Sequence, residues 1–503
     1  MTERFDVIIL GSGAGGGTMA HALAPSGARI LLVERGEAVP RELENWNPVA
    51  VWQDLRYRTR EQWVESGGGE FVPYTHYCVG GNTKFWGSVL IRLRREDFGT
   101  LRHVDGESPA WPIDYETLAP YYDRAEALYG VRGLAGVDPT EPPRGPFPHA
   151  PVPHAPMMQA VVENLRGQGL RPFPLPLGVL APGEPQGCVL CNTCNSFPCR
   201  LGAKSDAEVC AVAPALAAPN VTLWTGALAR RLLTNPAGTR VEAVETERAG
   251  GVIRVEASTI VVACGAVNSA ALLLRSATDR HPRGLANSSD LVGRRYMAHL
   301  ATMMQGFHPL RMNHDVFQKT VAINDFYFAG PDTPFPLGQI QSQGRTHGVM
   351  AQIVVPWIPL WAYKAWVARG VDWLVMSEDL PTLENRVTVE RDGRIRLAYT
   401  PNNERAHQDL VRRFTRILRD LGFWKVMAYS HQTRNTTHQC GTLVFGHDPK
   451  TSVLDPFCRS HDIDNLFVVD ASFFPSSAAV NPGLTIVAQA LRVAEHIRAN
   501  HLR

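Results

Sequence analysis

The segment at residues 6–16, DVIILGSGAGG, constrains the fold of this chain more than any other. An apolar strand leads into Gly11, Gly13 and Gly16, and a helical pattern then precedes a second apolar strand at 29–33. The first glycine allows a sharp turn, the second lets backbone approach a phosphate, and the third lets helix and strand pack closely. The pattern predicts a β–α–β unit that holds a dinucleotide pyrophosphate at the helix N-terminus.

An acidic residue, Glu34, follows the second strand, 23 residues after Gly11. A carboxylate at this point can accept hydrogen bonds from both ribose hydroxyls and repels a 2′-phosphate. The glycine pattern by itself does not separate NAD from FAD, and the plainer alternative is a glycine-rich turn without a ligand. Because strand, glycines, helix, second strand and acid follow in order, we favour the nucleotide site.

Length and charge limit the classes of protein to consider. The 503 residues are too many for one simple core and fit two interleaved domains of roughly 100–250 residues each. The net charge of +2 gives no sign of a nucleic-acid surface. The first strand begins close to Met1 and no run reaches about 18 apolar residues, so we expect no secretory signal, no membrane span and a cytoplasmic location.

A dense cysteine cluster is formed by four of the nine cysteines, Cys188, Cys191, Cys194 and Cys199. The C-x-x-C-x-x-C spacing permits an iron–sulfur cluster, and four thiolates permit a structural zinc. The third alternative is a cysteine-rich loop with free or disulfide-paired thiols, which we favour over either metal. The gap before Cys199 departs from the common ferredoxin spacing, which weakens the iron–sulfur alternative.

Several motifs along the chain resemble those of the glucose–methanol–choline (GMC) oxidoreductase family. In chain order these are GSGAGG at 11–16 with ERG at 34–36, VGGNT at 79–83, VACGAVNS at 262–269, GLANSSDLVGR at 284–294, ENRV at 384–387, HQCGT at 438–442 and NPGLT at 481–485. The resemblance spans nearly the whole chain and implies FAD as the cofactor. The His-x-x-Gly-Thr form resembles the sugar-oxidising branch, which includes pyranose oxidases and bacterial glycoside 3-oxidases.

The resemblance also implies which residues contact the cofactor. The residues implied to lie along the flavin ring are Gly80, Gly81, Asn82 and Thr83. Asp470 and Ala471 are implied to meet the ribityl–pyrophosphate portion of FAD. Ala229 is implied to meet the adenine. Some family members attach FAD through a histidine at the position occupied here by Phe85. Phenylalanine has no nucleophilic nitrogen, so we expect non-covalent FAD.

A candidate catalytic pair, His438 and Asn481, matches the family's catalytic positions. A neutral imidazole suits removal of a hydroxyl proton because its pKa lies near working pH. An amide N–H can stabilise negative charge that develops on the substrate oxygen. Among the 17 histidines, His431 and His447 lie nearby in the sequence and are the alternative candidates for the base. Because the nucleotide turn is N-terminal and the pair is C-terminal, we expect the two ends to meet.

The expected fold class is α/β, with a Rossmann-like FAD-binding domain and a substrate domain on an antiparallel sheet. The expected limits are 1–284 for the FAD-binding domain, including a proline- and cysteine-rich excursion at 137–210, then 285–437 for the substrate domain and 438–503 for the return to the first domain. The tryptophan-rich stretch 353–375 is expected to pack within the substrate domain. A lid, a partner surface or an interfacial membrane helix are its alternatives.

The implied function is FAD-dependent oxidation of an alcohol to a carbonyl, and the expected substrate is a secondary hydroxyl of a sugar or glycoside. The electron acceptor is left open between oxygen, a quinone, and a cytochrome or other redox protein. A dehydrogenase subunit that serves such an acceptor and a non-redox lyase of the same fold are the alternative functions.

Overall fold

The computed structural model describes residues 3–180, 184, 187–430 and 436–502. Within these ranges the helices are α1 Ala14–Leu23, α2 Tyr115–Leu128, α3 Pro156–Gly167, α4 Ala213–Leu216, α5 Ala266–Arg275, α6 Gly348–Val354, α7 Leu360–Val367, α8 Glu404–Asp420 and α9 Gly483–Asn500. The strands are β1 Glu3–Leu10, β2 Ile30–Val33, β3 Trp63–Glu65, β4 Glu70–Phe71, β5 Leu101–Arg102, β6 Glu107–Ser108, β7 Val131–Arg132, β8 Phe173–Pro174, β9 Leu177–Gly178, β10 Val221–Trp224, β11 Ala227–Thr234, β12 Val241–Arg248, β13 Gly251–Val262, β14 Leu300–Phe307, β15 Val321–Ile323, β16 Gln339–Ser342, β17 Gly370–Ser377, β18 Arg386–Val389, β19 Ile395–Ala398, β20 Lys425–Ser430 and β21 Leu466–Val468.

The first sheet is built around β1, where residues 7–10 are completely buried. Its strand order is β10-β2-β1-β13-β12-β11, and β21 also pairs with β13. The strands β10, β2, β1, β13 and β21 run parallel, whereas β12 pairs antiparallel with both β13 and β11. Continuous apolar runs in β1 and β2 fit parallel strands covered on both faces. The predicted β–α–β unit is confirmed as β1, α1 and β2.

The C-terminal part of the chain returns to this sheet beside the glycine turn. The parallel pairing of β21 with β13 aligns Leu466 with Ile260 and Val468 with Val262. Helix α1 packs against α9, and a Cβ on Gly15 would lie 2.1 Å from the carbonyl oxygen of Val469. Such close backbone approach requires glycine here. The two ends of the chain therefore meet, as the sequence predicted.

The second sheet has the order β20-β14-β17-β16-β15-β8, and each of these pairs is antiparallel. Helix α8 covers one face through Ala406, Leu410, Phe414 and Leu418, whose spacing of four keeps them on one side. The α/β fold class with an antiparallel second sheet is thus confirmed. Strand β8 comes from within 137–210, and the domain limits 1–284, 285–437 and 438–503 stay a prediction.

A smaller sheet with the order β18-β19-β3-β4 joins residues from both halves of the chain. Strand β19 runs parallel to β3, with Arg396 opposite Val64. No helix in the described part of the chain is both long and apolar enough to cross a membrane.

Candidate active site

A cavity of 1360 Å³ is lined by residues of both large sheets. Small-molecule sites typically measure roughly 300–1,000 Å³, so this one has room for a dinucleotide and a substrate together. Its lining includes most of the residues predicted for the site: Gly11, Gly13, Glu34, Gly81, Asn82, Thr83, Ala229, His438, Asp470, Ala471 and Asn481. Gly16 and Gly80 lie outside the lining.

The glycine turn between β1 and α1 has the geometry of a phosphate cradle. Gly11 has φ +97°, and a Cβ there would lie 2.3 Å from the carbonyl oxygen of Ala263. A Cβ on Gly16 would lie 1.9 Å from the carbonyl oxygen of Gly11, whereas a Cβ on Gly13 would meet nothing within 4 Å. Gly11 and Gly16 thus permit close packing of the backbone, and Gly13 leaves open space at the start of the helix. These residues fit a bound pyrophosphate.

The carboxylate of Glu34 connects the end of β2 to this turn. Its Oε2 accepts hydrogen bonds from Ser12 N at 3.1 Å and Ser12 Oγ at 2.6 Å, and Oε1 accepts one from Gly36 N at 3.0 Å. Burial raises the pKa of Glu34, and these hydrogen bonds act in the opposite direction. A carboxylate oxygen has more than one lone pair, so Oε1 can also accept from a ligand hydroxyl.

The turn at residues 80–83 packs against the same loop. Gly80 has φ +86°, and its N–H donates to Ser12 Oγ at 3.0 Å. Thr83 Oγ1 donates to the Gly80 carbonyl at 2.5 Å and accepts from Ala207 N at 2.9 Å. Asn82 Oδ1 accepts from His76 N at 2.8 Å. The turn is therefore held rigidly with Gly81, Asn82 and Thr83 facing the cavity.

Asp470 is a buried carboxylate that joins the C-terminal segment to the loop after β13. Its Oδ2 accepts hydrogen bonds from Gly265 N, at 2.9 Å, and from Ser269 Oγ. Its Oδ1 accepts from the N–H and the hydroxyl of Ser472 at 2.9 and 2.5 Å. Burial raises the pKa of Asp470, and these donors oppose that shift. The carboxylate holds Ala471 beside the cofactor cavity.

The catalytic candidates His438 and Asn481 lie side by side at the cavity wall. Asn481 Nδ2 is 3.5 Å from His438 Nε2, and Asn481 Oδ1 has no hydrogen-bond partner among the described residues. Burial, with smaller contributions from the nearby His299 and Lys319, lowers the pKa of His438 to about 3. The ring is therefore neutral over the ordinary pH range, which is the state that a general base requires.

A second histidine, His299, lies behind His438 and was not anticipated from the sequence. It is completely buried just before β14, with Nδ1 2.8 Å from His438 Nδ1 and Nε2 3.2 Å from the Ser477 carbonyl oxygen. Of the alternative bases, His447 is exposed, contacts the Pro112 carbonyl at 3.1 Å and lies outside the cavity lining. His431 lies outside the described residues.

The cavity wall beside β15 and β16 carries several polar side chains, which the sequence did not reveal. Lys319 Nζ donates to the Gly87 carbonyl at 3.0 Å and to Asn195 Oδ1 at 2.7 Å. Burial lowers the pKa of Lys319 to about 7. Gln341 and Gln343 also line the cavity, and their side-chain oxygens lack partners within the described residues. Unpaired buried amides of this kind suit a ligand with several hydroxyl or amino groups.

The segment that carries the cysteine cluster contributes to the cavity wall. All nine cysteines are free thiols, and across the described ranges no three His, Cys, Asp or Glu side chains are arranged to hold a metal ion. Burial raises the pKa of Cys188 to about 12 and also raises that of Cys194. The same segment places Asn192 and Asn195 in the cavity lining.

Some tryptophans of the tryptophan-rich stretch are buried and others are exposed. Trp373 on β17 is completely buried, and Trp366 on α7 stacks on Phe307 with ring centroids 4.0 Å apart. Trp357 and Trp361 are 79% and 73% exposed. The expected packing within the substrate domain therefore holds for only part of the stretch, and Trp366 also lines the cavity.

The chain matches two family models, both described as GMC oxidoreductase, at residues 59–301 and 381–490. It is 34% identical to 6'''-hydroxyparomomycin C oxidase of Streptomyces lividus, over 99% of this chain and 92% of the relative. It is 32% identical to paromamine 6'-oxidase of Streptomyces fradiae, over 98% of this chain and 91% of the relative. It is 27% identical to the fructose dehydrogenase large subunit of Gluconobacter japonicus, over 99% of this chain and 98% of the relative.

Among solved structures, the crystal structure of pyridoxine 4-oxidase from Mesorbium loti matches with a TM-score of 0.69. The identity is 20%, and the match covers 98% of this chain and 99% of the other, so it supports the fold.

The α/β fold, the glycine turn and the large cavity lined by both sheets fit a dinucleotide-binding enzyme. The chain belongs to the GMC oxidoreductase family, which both family models and the relatives above 30% identity show. It is accordingly an FAD-dependent enzyme that oxidises the CH–OH group of an alcohol.

Proposed function

We propose that this enzyme oxidises a hydroxyl of a sugar, glycoside or amino sugar to a carbonyl, with His438 as the base. The observation that carries the proposal is that His438 Nε2 and the Asn481 amide lie 3.5 Å apart in the cavity that also contains the glycine turn. A proton acceptor and a hydrogen-bond donor at this spacing can meet one substrate oxygen. Gly11, Gly13 and Glu34 support the placement of the FAD phosphates and ribose.

The proposed roles of FAD, His438 and Asn481 follow from the chemistry of each group. When bound, FAD supplies the acceptor for the hydride that leaves the carbinol carbon. His438 Nε2 takes the hydroxyl proton, so the ring changes from neutral to cationic as the carbonyl forms. Asn481 Nδ2 donates a hydrogen bond to the substrate oxygen while negative charge develops on it. The amide does not titrate, so it adds no charge that would shift the pKa of the base.

The substrate class is supported by the polar wall and by the relatives. Gln341, Gln343 and Lys319 offer several hydrogen-bonding groups, which a polyhydroxylated ring uses better than a simple alcohol does. Three relatives are named for paromamine, hydroxyparomomycin C and fructose. Two of those names specify a 6-position, so the test must include primary hydroxyls as well as the secondary hydroxyls expected from the sequence.

The direct test is an anaerobic screen of the purified FAD enzyme with sugars, glycosides, amino sugars, polyols and simple alcohols. We expect sugars or amino sugars to bleach the flavin absorbance faster than simple alcohols do. Failure of every alcohol to bleach it would contradict the proposal and favour the non-redox lyase. The acceptor is assayed separately: peroxide formed in air indicates an oxidase, whereas turnover with quinones or cytochromes alone indicates a dehydrogenase.

Non-covalent attachment of FAD is predicted because Phe85 cannot bond to the flavin. Precipitation of the holoenzyme with acid should release free yellow FAD into the supernatant. The ring of His76 stacks on Phe85 with centroids 3.6 Å apart, and its Nδ1 has no partner among the described residues. Flavin retained in the pellet would contradict the prediction, and the variant His76→Ala would show whether this histidine is the attachment point.

The pH dependence of flavin reduction should reflect the lowered pKa of His438. Since the neutral ring is the active form and its pKa is about 3, the limiting rate should stay nearly constant between pH 8 and 5. A base with the ordinary pKa of about 6.5 would lose about thirtyfold by pH 5. Stopped-flow mixing at saturating substrate without oxygen measures this rate. The variant Lys319→Met is the control, because Lys319 titrates near pH 7. A fall centred near pH 6.5 that persists in this variant would contradict the prediction.

For the cysteine loop we propose a wall of the substrate cavity rather than an iron–sulfur or zinc site. The free thiols with raised pKa values and the contact from Asn195 to Lys319 support this. Elemental analysis of freshly purified protein should find iron, zinc and acid-labile sulfide well below one per chain. Stoichiometric metal that is lost from the variant Cys191→Ser would contradict it.

A further inference from the structure

The buried histidine behind His438 determines which nitrogen of the base is free. The ring of His299 meets the His438 ring edge-on at 84°. Any role of His299 at this base rests on the proposed function of His438. The heavy atoms around the two rings determine the positions of two protons.

The first proton is fixed by the backbone at Ser477. His299 Nε2 lies 3.2 Å from the Ser477 carbonyl oxygen, which can only accept a hydrogen bond. His299 Nε2 must therefore carry a hydrogen. Complete burial lowers the pKa of His299, so its ring is neutral and carries one hydrogen in total. His299 Nδ1 is consequently an unprotonated acceptor.

The second proton follows from the contact between the rings. The two Nδ1 atoms are 2.8 Å apart, a distance that requires a hydrogen between them. Since His299 Nδ1 has none, His438 Nδ1 must donate. A neutral His438 with hydrogen on Nδ1 has a free lone pair on Nε2. The approach of Asn481 Nδ2, a donor, to that same Nε2 at 3.5 Å agrees with this assignment.

We propose that His299 is a positioning residue that selects the tautomer of His438 with Nε2 unprotonated and facing the substrate. The hydrogen bond made by one imidazole nitrogen decides the state of the other. When Nε2 takes the proton of the substrate hydroxyl, Nδ1 keeps its hydrogen and continues to donate to His299. The ring therefore needs no rotation between its neutral and cationic states.

The backbone around His299 is held firmly enough for this role. Ala298 N donates to Asp379 Oδ2 at 3.0 Å, directly before the histidine. Ser477 Oγ donates to the Asp379 carbonyl at 3.0 Å and accepts from Asp379 N at 3.2 Å. Asp379 thus fixes the position of His299 relative to the Ser477 carbonyl that His299 contacts. All of these residues are buried.

The test compares two variants of similar size, His299→Asn and His299→Leu. Asparagine places an oxygen acceptor near the position of Nδ1, whereas leucine offers none, and both give up the contact to Ser477. We expect His299→Leu to lower the limiting rate of flavin reduction at least about tenfold, because general base catalysis contributes roughly 10²–10⁴-fold. We expect His299→Asn to remain within about threefold of the parent, and KM to change little in both.

A spectroscopic measurement distinguishes a change in the His438 tautomer from general damage to the protein structure. In histidine labelled with nitrogen-15, two-bond proton–nitrogen spectra distinguish the two neutral tautomers, and the variant His438→Gln identifies the signals of His438. The parent should show hydrogen on Nδ1, and His299→Leu should move it toward Nε2. Hydrogen on Nε2 in the parent, or equal rate losses in both His299 variants, would overturn the inference. If neither variant folds, the parent spectrum decides alone.

The outcome is distinguishable from failure of the proposed function. In the background His438→Ala, adding His299→Leu should cause no further loss, since His299 acts through His438. If His438→Ala were itself as active as the parent, the proposed base would be wrong. If His438→Ala were inactive but His299→Leu were not, only the inference about His299 would fall.

Discussion

Replacing His438 with alanine is expected to lower the rate of substrate-driven flavin reduction by about a hundredfold or more, equivalent to about 2.7 kcal/mol in the barrier. The variant removes the only side chain at the cavity for which we propose proton acceptance. FAD content should stay at the parent level, because the glycine turn and Asp470 are untouched. Anaerobic stopped-flow absorbance measures the rate, and the ratio of flavin to protein absorbance measures the loading.

The matched control for this variant is His447→Ala. His447 is exposed, contacts only a backbone carbonyl in the described residues and lies outside the cavity lining, so its replacement should leave the rate unchanged. Reduction at nearly the parent rate in His438→Ala would show that another group takes the proton. An equal loss in both variants would show that the effect is not specific to the cavity.

Replacing Gly16 with alanine is expected to abolish most of the affinity for FAD. The added Cβ would lie 1.9 Å from the Gly11 carbonyl oxygen, so α1 must move away from the turn. We expect the Kd of FAD to rise on the order of a hundredfold, about 2.7 kcal/mol. Overpacking of this kind also costs stability, about 1–3 kcal/mol. Fluorescence titration of apoprotein with FAD and thermal denaturation measure the two effects.

Two other glycines serve as controls for this prediction. A Cβ on Gly13 or on Gly167 would meet nothing within 4 Å, so both alanine variants should keep the parent stability. Gly13→Ala should nevertheless weaken FAD binding, because its methyl group would enter the space proposed for the phosphates. Gly167→Ala, at the end of α3, should change neither quantity. Parent-like FAD binding by Gly13→Ala would contradict the proposed phosphate position.

Much of the first sheet was predictable because local pattern and tertiary role agree there. The apolar run at β1 and the glycines after it have one common structural solution, and the structure shows it. The last helix, α9, begins at Gly483, directly after Pro482, where proline suits the start of a helix better than its interior.

The parts of the site that the sequence did not reveal depend on contacts between distant segments. Lys319 meets Gly87 and Asn195, which are 232 and 124 residues away. A single lysine or a single histidine such as His299 carries no local pattern, so only the fold identifies its partners. The cysteine spacing, in contrast, is a strong local pattern. In the structure these four cysteines are partly exposed free thiols, so the spacing alone did not determine their role.

The most direct test of the account is a crystal structure of the enzyme with bound FAD. We expect the phosphates at Gly13, the adenosine ribose at Glu34, and the catalytic edge of the flavin ring facing His438 and Asn481 across a space for the substrate. A flavin ring directed elsewhere in the cavity, with those two side chains out of reach of its substrate face, would contradict it.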